Sequence, residues 1–472
     1  MPPRRFRAPT GDGEVLADPP FAAVPDQIAA NRRRLDAADV RVGGLPLPDL
    51  RRLARHEILA LTGDRTASPD APLLLAGHQP ELFHPGVWVK NFALHGLARR
   101  VGGVPLNLVV DNDTLKAAAI RLPTWERWEP AAVRLDRLAF DAVRPEEPFE
   151  TRAVADPGLF ESFGGRVCER AANWGYRPLA CQAWADALGP GTVGARLTAV
   201  RVAAERRWGC HNLELPVSRL AGTETFARFA GHVAADADRF RGAYNAAVRD
   251  YRRRNGLRST RHPVPDLAAD ELPFWGTSGP DGRRTRATAD TPPGHLRPRA
   301  LTLTLFARLC VGDFFLHGIG GGKYDEVTDD IVRRYFGLEP PAYQVLSATL
   351  HLPLPHFPGT PAEVDRLDRL ERDLHWNPHR YLSAEARAEH ARLAAAEPAD
   401  RRGRRQRTRD LRALAGRLRP LVAGRVEAVR ADRERAKREA AANAILRRRD
   451  YAWVLYPEAT LRPFLRRFLD VT

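Results

Sequence analysis

The sequence predicts an α/β fold built on a parallel sheet, with a helical insert and a C-terminal antiparallel coiled-coil hairpin. Three observations carry this. Predominantly apolar runs at residues 73–76, 104–110 and 311–316 are short and are followed by Gly, Asp or His, as strands buried on both faces are. Helical periodicity at 87–100 joins the first two runs, which makes one strand–helix–strand unit with both strands parallel. Leucines at three- and four-residue spacing (Leu367, Leu370, Leu374, then Leu411, Leu414, Leu418) sit among dense Arg and Glu near the C-terminus.

In chain order, residues 1–70 form a leader of mixed helical character that packs on the core. Residues 71–355 are the core, with an insert at about 125–295. Within the insert, 157–172, 183–208 and 222–254 carry helical patterns, 212–217 and 283–288 read as strands, and 263–275 is Pro-rich and irregular. The core resumes with a helix at 300–309, a strand at 311–316, a glycine loop at 317–322, a helix at 323–336 and a strand at 343–346. Residues 356–449 are the hairpin, broken near 398–403 and kinked by Pro420 and Gly424. Residues 450–472 are aromatic and apolar and return to the core.

Composition narrows the function classes. The chain has 472 residues, 44% hydrophobic and 28% charged, with a net charge of +16. Much of that excess lies in 401–409 and 447–449, on helix faces that water solvates, and no nucleic-acid signature accompanies it, so nucleic-acid binding is not expected. Four scattered cysteines argue against a disulfide framework and a structural zinc site and fit a reducing, cytoplasmic setting. No stretch approaches a membrane span, and the first fifteen residues lack a signal-peptide core.

Only four of the 74 basic residues are lysine: Lys90, Lys116, Lys323 and Lys437. Three of them fall in the segments at the predicted strand ends. In the first, Gly77, His78, Gln79, His84, Gly86 and Lys90 surround a turn that leads into a helix, a geometry suited to capturing an anion. His78 and His84 could stabilise charge on a phosphoryl group. The second, Asp111-Asn112-Asp113, offers carboxylates for Mg²⁺, a ribose hydroxyl or an ammonium, or caps a turn. The third holds His317, Gly320, Gly321, Gly322, Lys323, Tyr324 and Asp325, whose backbone N–H groups could cradle phosphate. Arg297 could clamp a carboxylate or phosphate. The carboxyl ends of parallel strands are where such sheets bind ligands, so all three segments are expected to share one cleft.

Four stretches, GHQPELFHPGVWVKNFAL, VPLNLVVDNDTLKAA, LRPRALTLTLFARL and FFLHGIGGGKYDEVTDDIVRRYFGLEPP, resemble the bacillithiol biosynthesis cysteine-adding enzymes. The resemblance covers roughly 70–465 in order. It implies a Rossmann-like, nucleotidyltransferase-related core and a coiled coil used in homodimerisation. It places Gly77, Gln79, Gly86 and Lys90 in a first glycine-containing loop, Asp111 and Asp113 in an acidic strand-end motif, Arg297 in an Arg-Pro element, and Gly320 to Tyr324 in a second glycine-rich loop. The expectation is a ligase or transferase that binds a nucleotide such as ATP or ADP, or a phosphorylated substrate, and joins an amine or a cysteine-like amino acid to a small acceptor. In it His78, His84, Asp111, Asp113 and Lys323 act in catalysis. The alternatives are a non-catalytic coiled-coil dimer with a degenerate nucleotide pocket and a nucleic-acid-binding protein.

Overall fold

The computed structural model describes residues 6–63, 68, 70–278 and 283–471. The chain forms two compact units. Met1–Leu122, Arg137–Pro353 and Arg449–Thr472 make the first; Pro123–Asp136 and Leu354–Arg448 make the second.

The first unit is built on a six-stranded sheet. Its strands are β1 (Val15–Asp18), β2 (Leu73–His78), β3 (Val104–Val109), β4 (Leu213–Pro216), β5 (Phe314–His317) and β6 (Gln344–Ala348), in the spatial order β1-β6-β5-β2-β3-β4. All pairs are parallel except the edge pair β1–β6. The chain runs outward from β2 through β3 to β4, then returns to the other side of β2 for β5 and β6. Strand order therefore reverses between β2 and β5, which pair from Phe314↔Leu74 to Leu316↔Ala76.

Alternation along each strand decides which helix each side chain meets. Leu73, Leu75, Phe315 and Val345 enter one apolar cluster with Leu50, Ala54 and Ile58 of α1 (Leu47–Thr62). Val327 and Ile331 of a later helix, α4 (Ile319–Ile331), join the same cluster. On the other face lie α2 (Pro85–Arg100) and α3 (Val193–Arg207). There the buried Trp88 of α2 packs at a tilt against Trp208 and Trp453, with ring centroids 5.3 and 4.4 Å away. Gly86 is required for this docking: a Cβ at that position would stand 2.0 Å from the carbonyl oxygen of Ala348. Trp453 belongs to the C-terminal segment.

Three expectations need correction. Cys168 and Cys181 are disulfide-bonded, with Cα atoms 5.7 Å apart. They are 13 positions apart in sequence, but they lie on helices Phe163–Arg170 and Ala180–Ala183, and the folding of that segment brings the pair together. Cys210 and Cys310 are free and buried. The single helix expected over 183–208 is instead two short elements, Ala180–Ala183 and Trp184–Ala187, followed by the 15-residue α3; Gly189, Pro190 and Gly191 make the break before Thr192 caps α3. The glycine run after β5 is not a loop, as described below.

In the second unit, four helices occur where one pair was expected: α5 (Pro361–Trp376), α6 (Ala384–Ala395), α7 (Arg401–Leu418) and α8 (Ala423–Leu446). Ser383 caps α6 and Asp400 caps α7, each side chain accepting a backbone N–H. α5 and α8 run antiparallel, with Leu367, Leu374, Val429 and Ala436 buried between them and Val422, just before α8, in the same cluster. Arg430 reaches Glu371 at 2.6 Å along the same seam. A turn at Arg419–Val422 separates α7 from α8 at the position of the expected kink. Among the described residues no helix is long and apolar enough to cross a membrane.

Candidate functional site

β2 and β5 end side by side, and the helices that follow them lie on opposite faces of the sheet. A crevice between two such strands is the usual ligand position in an open α/β sheet. Residues from the first and third predicted segments approach one another here.

Lys90 is the centre of the arrangement. It lies one turn into α2, is 3% exposed, and donates from Nζ to the carbonyl oxygen of Gly77 at 3.0 Å. Among the described residues it has no carboxylate partner. Burial alone depresses its ammonium to about 8. Its charge is felt at three imidazoles, His78, His84 and His317. His78 packs edge-on against Phe83, and its Nδ1 lies 3.0 Å from the carbonyl oxygen of Gln79. His84 occupies the residue before α2, and its buried Nδ1 has no partner. Burial, reinforced by nearby positive charge, lowers His78 to about 3 and His84 to about 4. Both are neutral imidazoles at pH 7. They offer a substrate hydrogen bonds, and the positive charge comes from Lys90.

These two histidines set an acid limit on the fold. Their folded pKa values lie below the ordinary 6.5. The unfolded chain therefore binds protons that the folded chain refuses, and stability falls as pH drops below about 6.5. Unfolding midpoints measured from pH 7 to pH 4 are expected to decline, with a shallower decline in His78→Asn. An equal decline in the variant would show that His78 takes no part.

At the end of β5, His317 Nε2 lies 2.7 Å from Asp325 Oδ2, and Arg308 reaches the same carboxylate at 2.6 Å and Asp329 at 2.7 Å. Burial raises the Asp325 carboxyl, but the Arg308 and His317 charges outweigh it and hold it well below the ordinary range. Burial also lowers His317, outweighing Asp325. Phe315 stacks on the imidazole at 4.3 Å, and Tyr343 meets its face edge-on at 5.1 Å.

The expected phosphate loop is the first turn of a helix. Gly318 precedes α4, and Gly320, Gly321 and Gly322 lie within it. Close packing explains two of these glycines. A Cβ on Gly321 would sit 2.8 Å from His317 Nδ1, and one on Gly322 would sit 2.3 Å from Val345 Cγ2. Lys323, in the second turn, is half-buried and makes no hydrogen bond or ion pair among the described residues. Tyr324 packs edge-on against His262 at 5.8 Å.

The acidic segment lies beyond β3. Asp111 accepts from the backbone N–H and hydroxyl of Ser218 at 2.9 and 2.5 Å, so it caps the turn after β4. Asp113 accepts from Gln79 Nε2 at 2.8 Å, the N–H of Thr114 at 2.8 Å and Arg284 at 3.0 Å. Burial raises Asp111 despite those bonds; for Asp113 the bonds and Arg284 outweigh burial, and its carboxyl is lowered. The Gln79–Asp113 bond ties the first segment to the second. Both carboxylates are committed to donors of the chain. Among the described residues no group of three or more His, Cys, Asp or Glu is arranged to hold a metal ion. Asp111 and Asp113 thus belong to a hydrogen-bonded network.

Arg297 is likewise engaged: its Nε donates to Glu150 at 3.0 Å. The role expected of it, a free clamp, passes to no single residue. Arg284 reaches Asp113 and lies over the Trp275 ring at 4.3 Å, with Arg299 over the same ring at 4.2 Å. Arg284, Arg308, Ser218 and Glu150 carry no sequence signal of their own. Arginine is too common in this chain for any one to stand out.

The chain matches no protein-family model and no curated protein.

Proposed function

We propose that this chain is an enzyme on a Rossmann-like, nucleotidyltransferase-related core that binds a nucleotide or phosphorylated substrate between β2 and β5. It joins an amine, cysteine-like by resemblance, to a small acceptor. The observation that carries this reading is Lys90: a buried ammonium without a carboxylate, among three imidazoles, at the point where strand order reverses. Retaining an uncompensated buried charge is costly to the fold. A bound anion would supply the missing counter-charge.

The edge is polarised in a way that suits two substrates. The β2–β5 side presents Lys90 and neutral imidazoles, which fit phosphate. The β3–β4 side presents Asp111 and Asp113, which fit an ammonium that displaces one of their present donors. Gln79, bonded to Asp113, stands between the two. Lys323 on α4, half-buried and without a partner among the described residues, would be a second donor to that phosphate. Titration calorimetry with ATP, ADP and inorganic phosphate tests the reading. Lys323→Ala is expected to weaken nucleotide binding about tenfold with the fold intact, and Lys323→Arg to recover part of it. Absence of binding by all three anions would refute the proposal.

The antiparallel α5–α8 seam supports the coiled-coil reading of the second unit and, with the resemblance, a homodimer formed through it. Light scattering of the full chain is expected to give twice the monomer mass, and a chain with 361–449 replaced by a short linker is expected to give the monomer mass. A monomeric full chain would rule the dimer out.

A further inference from the structure

Helix α7 concentrates the charge of this protein. Arg401–Leu418 contains eight arginines and one aspartate. Only Leu414 and Ala415 of this helix are buried. Arg407 donates inward to the carbonyl oxygen of Ala396 at 2.9 Å, and Arg417 pairs with Glu389 at 2.6 Å. The single aspartate, Asp410, accepts from Gln406.

Five of the six remaining arginines behave differently. At 3.6 residues per turn, Arg401, Arg402, Arg405, Arg409 and Arg412 fall within an arc of about 100°, on the side opposite Leu414, along about 16 Å of helix. All five are exposed, and none has a carboxylate partner among the described residues. By contrast Arg366, Arg380, Arg430 and Arg435 of the same unit each pair with a carboxylate at 2.6–2.9 Å. Composition alone assigned the basic surplus to solvent. The fold instead gathers a large part of it into one row.

We propose that this face of α7 is a docking surface for the phosphodiester backbone of duplex nucleic acid, bound without regard to sequence. Duplex DNA carries one negative charge per about 1.7 Å of axis, so a rigid row of this length meets several phosphates together. Guanidinium forks match phosphate oxygens in pairs. The arc carries no large apolar side chain, whereas a helix that lies on a lipid surface needs an apolar face to bury. That favours a nucleic-acid backbone over a membrane.

Fluorescence anisotropy of the full-length protein with a short labelled DNA duplex tests this across a salt series. The expected slope of log K against log salt is about −3 to −4, from roughly four neutralised phosphates. Exchanging Arg402, Arg405, Arg409 and Arg412 together for Gln should weaken binding at low salt by more than about tenfold and flatten the slope to near about −1. A control with Arg366, Arg380, Arg430 and Arg435 exchanged for Gln removes the same charge from the same unit and should keep most of the affinity. Circular dichroism of both variants should match the parent, since all eight side chains are exposed. Equal losses in the two variants would show that net charge, not the row, is responsible, and would overturn the proposal. So would no binding at about 50 mM salt, or row-dependent binding of anionic phospholipid vesicles but not of duplex.

Discussion

Asp313→Ala is expected to destabilise the first unit by about 3–5 kcal/mol, the cost of stranding a buried charge. Asp313 stands just before β5 and is 1% exposed. Its two oxygens take Arg51 at 2.7 Å and Arg55 at 2.5 Å, both from α1, and the second also accepts the N–H of Leu73 at the start of β2 at 2.8 Å. Arg51 further donates to the carbonyl oxygens of Leu309 and Gly312. One carboxylate therefore holds α1 to the amino ends of β2 and β5. Burial already pushes the Arg51 guanidinium down against the attraction of Asp313. Without the carboxylate, two buried guanidiniums lose the counter-charge they share. Urea unfolding should show the loss as a lower midpoint. Adding Arg51→Met and Arg55→Met should restore part of it, because the stranded charges go with them. A loss under about 1 kcal/mol for Asp313→Ala alone would mean that the pair contributes little.

Lys90→Met is expected to do the opposite to stability and to abolish anion binding. Depression of the Lys90 ammonium from 10.5 to about 8 corresponds to a burial cost on the order of 3 kcal/mol at neutral pH. Methionine fills similar space without the charge, and the one hydrogen bond lost to Gly77 is worth about 1 kcal/mol. The net gain should be about 1–3 kcal/mol, read as a higher unfolding midpoint. The sign with pH follows from the same shift. Between about pH 8 and pH 10.5 the unfolded chain holds the lysine proton and the folded chain does not, so the parent protein gains stability as pH rises through that window. The Met variant should lack that gain. Its calorimetric response to ATP, ADP and phosphate should vanish. If Lys90→Met destabilises the protein, the lysine serves the fold and the anion site must be sought elsewhere.

The α/β class was legible because buried strands and amphipathic helices write their periods directly into the chain. The runs at 73–76 and 104–110 became β2 and β3 nearly as read, and 311–316 became β5 shifted toward His317. The glycines at 320–322 were misleading. A run of glycine signals either a turn or close packing, and the choice depends on what stands opposite, here Val345 and His317. The edge strand β1 gave no signal, since four residues facing a single neighbour need no distinctive pattern.

At the candidate site the chain by itself singled out Lys90, the histidines and the strand-end acids, because charged and imidazole side chains at the ends of apolar strands need no partner to be noticed. Only the tertiary structure decided their chemistry. Burial made His78 and His84 neutral and left Lys90 charged without a counter-ion. Ser218 and Arg284, distant in sequence, took up the carboxylates of Asp111 and Asp113. Residue identity and local period are properties of neighbouring positions and can be read along the chain. Desolvation and ion pairing depend on which remote segments fold against a group, and no local pattern encodes them.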